Sequence, residues 1–365
     1  MIKQLKSFTI NLVAGANIAT VLLMLCAGFS DRLNPADYPL LSCFGLAFPI
    51  FLIVNLLFLF FWLTFKWRKV WIPIVGYLLV YFPISIYMPI NMKQDMPDGT
   101  IKILSYNVCC YSGYYKYKQG FDTIYNYLKR QEADIVCLQE DADSWRRFVM
   151  QRYSKIYPYN DTTVFRNSAE GMNGMGIHTR FPILRKERIQ YTSDANGSVA
   201  YYLKLDNGDT LLVINNHLEG THLSKEDRDN YKRMIHGKME RDTAKEESML
   251  LLDKLATYAA KRAPEADAVH QYIENHRQYP IIVCGDFNDN PISYSRRTIA
   301  QGLTDCFVET GKGIGLSYNQ KGFFVRIDHI LCSEHFEPYN CQIDDEMDAS
   351  DHYPILCWLK MKEKQ

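Results

Sequence analysis

Polar side chains that could bind a metal ion or transfer a proton lie at the ends of apolar runs in the sequence. Glu140 directly follows the run DIVCLQ, and Asp286 and Asn288 belong to the run GDFND, which follows IIVC. Asp351 and His352 directly precede the run YPILCWL. Because strands hold such residues in place and the adjacent loops let them converge, this distribution predicts one shared site.

Several of these signals also have a purely structural interpretation. Glu140 alone is typical of a solvated strand end, and His217, which ends the run TLLVINNH, could be a hydrogen-bonded core histidine. Asp328 is harder to dismiss, because it lies within the apolar run VRIDHIL, where burying a carboxylate without a partner is costly. His352 and Arg326 are its candidate partners.

The oxygen donors among these residues predict a site for a hard divalent cation. Glu140, Asp351 and Asn107, which ends the run IKILSYN, offer carboxylate and amide oxygens. Mg²⁺ typically takes one or two carboxylates together with substrate phosphate and water, and Mn²⁺ is the expected substitute. Zinc would require several His or Cys ligands, and the sequence has no CxxC or Cys/His zinc spacing.

The elements that must position these residues follow from the periodicity of the sequence after residue 100. Short runs with the alternation or apolar character of strands are separated by segments with helical periodicity. The site candidates fall where the strand-like runs end. No GxxxxGK[ST] loop, helix-opening GxGxxG or GxSxG elbow occurs, which disfavours nucleoside-triphosphate binding, dinucleotide chemistry and serine hydrolysis.

The order of the motifs is more specific than any one of them. The chain contains, in this order, SYN, LQE, MGIHTRFPI, NNHL, GDFND, RIDHIL and SDHYPI. This order resembles that of the endonuclease/exonuclease/phosphatase family, which includes DNase I-like nucleases, AP endonucleases, sphingomyelinases and inositol-phosphate phosphatases. The resemblance covers residues 100–362. It implies an α+β fold, the four-layer α/β/β/α sandwich of DNase I, and Mg²⁺-dependent hydrolysis of a phosphoester by an activated water.

The resemblance also implies a metal-binding set. Glu140 corresponds to the principal metal ligand of the family, with Asn107 beside it and Asp351 supporting the metal region. Some nuclease branches have a carboxylate two residues after the first-strand asparagine, where this sequence has Cys109. This departure suggests a lighter set of protein ligands, completed by substrate and water.

The catalytic roles come from the same resemblance. Asp286 would orient or deprotonate the attacking water, and Asn288 would position that water and the phosphoryl oxygens. His217 would donate to the phosphoryl oxygens in the transition state. His352 would be the imidazole at the phosphate, oriented by Asp328.

A long charged segment at 224–279 separates the NNHL and GDFND motifs. It is helical in pattern, and Ser224 and Asp227 have the spacing of a capping box. The segment is interpreted as an insertion within the catalytic domain. It is either a surface helical pair or a lid or lipid-facing cover near the site.

The N-terminal part of the chain contains three stretches without a charged residue, at about 8–29, 40–65 and 70–90. Each exceeds the roughly 20 apolar residues that a helix needs to cross a bilayer. We therefore expect a membrane anchor with three transmembrane helices and a short linker at 1–98, followed by the catalytic domain at 99–365.

Basic residues suggest the orientation of these helices. Lys3 and Lys6 precede the first stretch, and Lys66, Arg68 and Lys69 lie between the second and third. By the positive-inside rule, both segments are cytoplasmic. We therefore expect an integral membrane protein, of the type found in a bacterial inner membrane, with a cytoplasmic N-terminus and an extracytoplasmic catalytic domain.

Three functions are compatible with these features. The leading hypothesis is a Mg²⁺-dependent phosphoesterase that acts at the membrane on a phosphorylated lipid or lipid-linked substrate. The second is an extracytoplasmic nuclease, but residues 100–365 hold 34 basic and 37 acidic side chains, without the basic excess typical of nucleic-acid binders. The third is a catalytically inactive receptor or scaffold, which the complete motif set disfavours. Membrane lipids are the expected partners, and the sequence gives no basis for inferring a protein partner.

Overall fold

The computed structural model describes residues 2–112, 120–141, 146–167, 171–193, 196–320 and 322–363. The N-terminal part contains the helices α1 (Ile2–Gly28), α2 (Pro39–Ser42), α3 (Phe48–Phe65), α4 (Trp71–Leu79) and α5 (Tyr81–Tyr87). The helices of the following domain are α6 (Cys109–Ser112), α7 (Gly120–Gln131), α8 (Arg146–Tyr153), α9 (Lys225–Ile235), α10 (Arg241–Glu274), α11 (Tyr294–Ile299) and α12 (Cys306–Thr310).

In the part of that domain that the structure describes, two six-stranded sheets form the centre. The first has the strand order β11-β12-β1-β2-β4-β3 and the second β5-β6-β7-β8-β10-β9. The strands are β1 (Thr100–Asn107), β2 (Ile135–Gln139), β3 (Tyr159–Asn167), β4 (Gly171–Thr179), β5 (Ile183–Ile189), β6 (Gly197–Lys204), β7 (Thr210–His217), β8 (Ile281–Asp286), β9 (Thr304–Asp305), β10 (Asp328–Cys332), β11 (Phe336–Ile343) and β12 (Ile355–Met361).

The alternation of side chains along the strands produces four layers. Ile103 and Val213 belong to the apolar core shared by the two sheets, whereas Leu104 packs with α7 and α8 on the outer face of the first sheet. Leu212 packs with α10 and α11 on the outer face of the second sheet. Successive strand residues point to opposite faces, so both sheets are covered on both sides. The expected α/β/β/α sandwich of the DNase I-like fold is confirmed.

Strand register brings the ends of the motif-bearing strands together. β1 and β2 are parallel, with Asn107 opposite Gln139, the residue before Glu140. β7 and β8 are also parallel, with His217 opposite Asp286. β10 runs antiparallel to β8 and begins opposite its last residue, Asp286. Polar groups from both sheets therefore meet at one edge of the sandwich.

The N-terminal helices form an apolar bundle. Gln4–Gly28 and Pro39–Phe65 are each long and apolar enough to cross a membrane. The helical segments Trp67–Leu79 and Tyr81–Tyr87 meet that test only together, and they are bent by 61°. Pro83, which cannot donate a backbone hydrogen bond, lies in the first turn after this bend. The sequence predicted three spans. The described residues contain two helices that could cross a membrane, or three if the bent pair is one span.

A buried polar cluster joins the first two apolar helices. The Asn17 side chain donates to Asn55 Oδ1 at 3.0 Å and accepts from Trp62 Nε1 at 2.9 Å. These three side chains are fully buried although the outer faces of both helices are apolar. Hydrogen bonds of this kind hold helices together in an apolar environment.

The bundle is packed directly onto the catalytic domain. Ile292, six residues after Asp286, belongs to an apolar cluster with Phe48 of α3 and Tyr87 of α5. The buried Arg326 donates from Nη2 to the carbonyl of Ile86, near the end of α5, at 2.6 Å. The helices therefore contact the segment that follows the GDFND turn and the segment that precedes Asp328.

Candidate active site

Strained backbone conformations hold the loops at this edge of the sandwich. Gly285 has a φ of 130°, and a Cβ there would lie 2.0 Å from the carbonyl oxygen of Asn216 on the neighbouring strand. Only glycine allows this approach. Glu140 and Asn288 also adopt positive φ, at 53° and 50°. Such conformations in non-glycine residues are concentrated at functional sites.

Asn107 connects the two sheets at the centre of the site. Its Nδ2 lies 3.1 Å from Glu140 Oε1 and 3.1 Å from Asp286 Oδ2. Its Oδ1 accepts the backbone N–H of Cys109 at 3.0 Å. The amide thus bridges a carboxylate of the first sheet and one of the second.

His352 lies between two buried carboxylates. Its Nδ1 is 2.9 Å from Asp328 Oδ2, and its Nε2 is 3.6 Å from Asp286 Oδ2. Burial lowers the pKa of His352, but Asp328 and Asp286 raise it more, and the result lies well above the usual value. The ring is therefore a cation at neutral pH. Of the two partners considered for Asp328, His352 makes the contact, whereas Arg326 donates to backbone carbonyls.

Asp286 faces both histidines and is buried. Burial raises its pKa to about 6, while the charge of His352 opposes this shift. The carboxylate is therefore ionised at neutral pH and can still accept a proton. Asn288 fixes its orientation, because the backbone N–H of Asn288 donates to Asp286 Oδ1 at 2.8 Å. The Asn288 side chain donates to the Leu218 carbonyl at 2.9 Å.

His217 presents one ring nitrogen to the site. Its Nε2 lies 3.8 Å from Glu140 Oε1 and 3.7 Å from Asp286 Oδ2, and its Nδ1 is 3.2 Å from Asn173 Nδ2. Burial lowers the pKa of His217, so the ring is neutral. If the Asn173 amide donates to Nδ1, the proton resides on Nε2, and His217 is a donor towards the site.

Of the side chains predicted to bind a metal, Glu140 and Asp351 lie at the open side of the site, whereas Asn107 is buried. Burial raises the pKa of Glu140, and the nearby Asp351 raises it further. The Glu140 and Asp351 carboxylates thus lie close to each other and to the Asn107 amide. The positive charge of His352 lowers the pKa of Glu140 and so opposes the effect of Asp351. This oxygen-rich, electronegative set fits a hard divalent cation.

A second group also fits a metal ion by distance. One ligand atom each from Asp286, Asp328 and His352 lie within 4.8 Å of one another. In the structure, however, the imidazole already bridges the two carboxylates, so an ion there would compete with the contact between His352 and Asp328. In the other set, the Glu140 and Asp351 carboxylates line the cleft. Asn107 would have to turn its amide to ligate an ion, because its Nδ2 faces Glu140 and its Oδ1 accepts the backbone N–H of Cys109.

The sequence reasoning missed several residues that support the site. Asn173 contacts His217, and Asn196 donates to the Leu218 carbonyl at 2.6 Å. The Ser317 hydroxyl accepts the backbone N–H of Asp328 at 3.1 Å. Ser350 donates to the Asn107 carbonyl at 2.7 Å. Of these, Ser350 alone lies in a motif that the sequence analysis recognised.

The site forms the floor of an open cleft of about 1460 Å³. Its polar floor includes Glu140, His217, Asp286, Asn288, Asp351 and His352. Its walls are largely apolar and come from α10, the loop around Phe324 and the start of the second apolar helix. Within the described part of the chain, the arginine side chains that line it are Arg228 and Arg262. The cleft joins a charged reaction centre to an extended apolar surface.

Solved structures share the catalytic fold. An endonuclease/exonuclease/phosphatase family protein from Bacteroides thetaiotaomicron is 17% identical, with a TM-score of 0.52 over 73% of this chain and 100% of its own. The human Nocturnin catalytic domain with bound sulfate is 16% identical, with a TM-score of 0.53 over 74% and 97%. Sphingomyelinase C from Streptomyces griseocarneus is 16% identical, with a TM-score of 0.51 over 72% and 99%. At these identities the likeness shows the fold.

Sequence comparison divides the chain into the same two parts. A domain of unknown function matches residues 10–87, and the Endonuclease/Exonuclease/phosphatase family matches residues 104–352. No protein of curated function matches the chain. Because the second match spans more than half of its length, the chain belongs to the endonuclease/exonuclease/phosphatase family of phosphoester hydrolases.

Proposed function

We propose that the protein is a membrane-anchored, Mg²⁺-dependent phosphoesterase that hydrolyses a lipid or lipid-linked phosphate. One observation carries this proposal: the cleft above the reaction centre is lined by apolar side chains of the N-terminal helices. Leu46, Ile50 and Ile53 line the same cleft as Asp286 and His352. A substrate with a phosphate at one end and a hydrocarbon chain at the other matches this arrangement.

Membrane anchoring is supported by the outer faces of the N-terminal helices. Leu12, Leu22, Leu57 and Phe60 are exposed large apolar residues of helices long enough to span a bilayer. A soluble monomer seldom exposes an apolar surface of this extent. We propose a cytoplasmic N-terminus and an extracytoplasmic catalytic domain, on the basis of the basic residues at positions 66, 68 and 69.

Glu140, Asp351 and Asn107 would hold the divalent cation in this proposal, with Mg²⁺ favoured and Mn²⁺ as substitute. When bound, the cation supplies charge that stabilises the phosphoryl oxygens and promotes ionisation of a water molecule. The Glu140 and Asp351 carboxylates provide the oxygen donors that line the cleft, and Asn107 would add its amide oxygen by turning from its present hydrogen bonds to Glu140 and Cys109.

The other side chains have complementary roles in hydrolysis. Asp286, ionised and oriented by Asn288, accepts a proton from the attacking water. His217 and the cationic His352 donate hydrogen bonds to the phosphoryl oxygens as negative charge develops there. Asp328 orients His352 and keeps it charged. The hydrogen bonds from Asn288 to Asp286 and between His352 and Asp328 hold these two groups in place for the reaction.

The charges of the cleft argue for a lipid rather than a nucleic acid. Among the residues that the structure describes, Arg228 and Arg262 are the arginine or lysine side chains along it, and Arg262 is engaged by Asp289 at 3.4 Å and by the Glu219 carbonyl at 3.1 Å. Nucleic-acid binding usually depends on several unpaired cations that track the backbone. The assembled reaction centre likewise argues against an inactive receptor or scaffold.

The test is Mg²⁺-dependent turnover by the full-length protein in detergent. Phosphatidic acid, phosphatidylglycerol and a lipid pyrophosphate would be compared with supercoiled plasmid, with Asp286→Ala as the inactive control. We expect phosphate or head-group release from at least one lipid, lost in the variant and on chelation of the metal. Plasmid nicking with inert lipids would contradict the proposal and support a nuclease.

A further inference from the structure

The helix α10 has two halves in different environments. At 34 residues it is about 51 Å long. Its C-terminal half packs on the second sheet through Ala266, Val269 and Ile273. The first buried residue along the helix is Ala256. The N-terminal half therefore extends beyond the core of the domain that holds the other half in place.

This projecting half carries apolar side chains that the fold leaves uncovered. Met249 is 63% exposed and Leu252 is 39% exposed, and both line the cleft. Leu250, between them in sequence, is 66% exposed but does not line it. None of these three residues belongs to the apolar core of the catalytic domain. Packing within that domain therefore does not explain why their side chains are apolar.

The opposite wall of the cleft belongs to the second apolar helix. Leu46 and Ile50 line the cleft and are 42% and 60% exposed. Cys43, just before them, packs against Ala256 and Ala259 of α10. The two walls therefore meet at this contact and continue along the cleft as separate apolar surfaces.

The walls of the cleft are continuous with the apolar bundle, and this continuity bears on which molecule could lie between them. Ile50 and Ile53 belong to a helix that would lie in hydrocarbon if it spans a bilayer. The same side chains line the cleft whose floor contains Asp286 and His352. A hydrocarbon chain could thus pass from the bilayer to the site along one apolar surface.

We propose that the cleft is a lateral portal through which the hydrocarbon chain of a membrane lipid enters between α3 and the N-terminal half of α10. The phosphate would then reach the reaction centre while the chain stays between Ile50 on one side and Met249 and Leu252 on the other. The proposal rests on the proposed function, and it adds the route of the substrate and the residues that select for a hydrocarbon chain.

If lipids enter through the portal, kcat/KM should depend on the length of the lipid's hydrocarbon chain. The reaction centre alone would not produce this dependence. In proteoliposomes and mixed micelles, kcat/KM of the wild type should rise from short-chain to long-chain phosphatidic acid or phosphatidylglycerol. Met249→Asp and Leu252→Asp place a charge against the chain. The readout is the ratio of two turnover rates, that of the long-chain lipid and that of soluble p-nitrophenyl phosphate or bis(p-nitrophenyl) phosphate. Each substitution should lower this ratio by about tenfold, which is equivalent to about 1.4 kcal/mol.

Leu250→Asp is the matched control, since it adds the same charge to the same helix outside the cleft. An unchanged ratio in Leu250→Asp together with the fall in the other two variants would support the portal. An equal fall in all three, or a wild-type rate that does not depend on chain length, would overturn it. The proposed function fails separately, if the wild type cleaves the soluble esters or plasmid but no lipid of any length.

Labelling of wild-type protein provides a readout that does not depend on folded variants. A phospholipid with a photoreactive group at the end of its acyl chain should label the segments around Ile50 and Met249 in proteoliposomes. The short-chain soluble analogue should compete poorly for this labelling. Labelling confined to the outer faces of α1 and α4 would overturn the portal even if lipid hydrolysis is observed.

Discussion

At the scale of single residues, the contact between Asp328 and His352 distinguishes the site from a simple cluster of metal ligands. Asp328 Oδ2 and His352 Nδ1 are 2.9 Å apart, and both side chains are buried. A carboxylate in this position selects the orientation of the ring and favours its charged form. The pair therefore explains why an otherwise apolar strand begins with an acidic residue.

We expect Asp328→Asn to lower kcat by about 100-fold, within the range for the loss of one hydrogen-bond donor to the transition state. The reason is that an amide no longer stabilises the imidazolium form of His352, while the size of the side chain is kept. KM should change little, because Asp328 is buried and does not line the cleft. Steady-state kinetics tests this, with Asp122→Asn, an exposed surface change, as the control. Near-normal kcat would rule out the assigned role.

Glu265 is another buried carboxylate, and it does not line the cleft. It accepts the backbone N–H of Glu219 at 2.7 Å. Burial raises its pKa from the usual 4.5 to about 7. Because the folded state holds this proton more tightly than the unfolded chain, its contribution to stability is complete below pH 4.5 and is lost as the pH rises through 7.

Glu265→Gln should therefore flatten the decline of stability with pH. The amide can accept the same backbone hydrogen bond without a charge to bury. Between pH 4.5 and 7 the free energy of unfolding of the wild type should fall by up to about 3 kcal/mol, whereas that of the variant should not show this fall. Melting temperatures of the full-length proteins in detergent across this range test the expectation. Parallel curves for the two proteins would contradict it.

At the scale of elements, the turn after β8 is the feature on which the site most depends. Gly285 packs its backbone against Asn216 of β7 and leads directly into Asp286. The same turn carries Asn288 in a left-handed conformation. A change in the path of this turn would move both side chains relative to His217 and His352.

We expect Gly285→Ala to destabilise the protein by more than the roughly 1–3 kcal/mol of a strained φ, because the Cβ would also collide with the Asn216 carbonyl. Activity should fall with stability. Gly208→Ala is the matched control, since Gly208 has a φ of 87° but no atom near the position of a Cβ. Melting temperature and turnover would be measured for both. Equal losses of stability in the two variants would show that the positive φ alone, and not the close approach to Asn216, determines the destabilisation.

The sequence predicted most of this architecture because its site residues end strands. Asn107, Glu140, His217 and Asp286 follow apolar runs whose ends meet once parallel register is established. The capping box at the start of α9 was also predicted, and both of its hydrogen bonds are present. These signals are local, so a single sequence contains them.

Other parts of the site could not be predicted, because they depend on contacts between distant segments. Asn173 and Asn196 come from different strands and loops, and their amides converge on His217 and Leu218 only in the folded chain. Arg326 was one of two candidates for Asp328, and its actual acceptors lie on Ile86 and Ile314. No spacing in the sequence predicts that an arginine will bind a carbonyl 240 residues away.

At the scale of the whole molecule, the apolar bundle and the catalytic domain behave as one packed unit. Gly45 lies between α2 and α3, and its backbone contacts the segment that follows the GDFND turn. Asp31 and Arg297 form an ion pair at 3.6 Å across the same junction. The position of the bundle therefore bears on the turn that carries Asp286 and Asn288.

We expect Gly45→Ala to reduce both stability and turnover, because a Cβ at this position would lie 2.5 Å from the Ile292 carbonyl and 2.8 Å from Ser30 Oγ. The backbone of Ile292 cannot move without shifting the site loop. Gly15→Ala, on the face of α1 with no atom within 4 Å, should leave both quantities unchanged. Lipid turnover and melting temperature in detergent test this comparison. If Gly45→Ala behaves like Gly15→Ala, the bundle is a tether whose junction has no influence on catalysis.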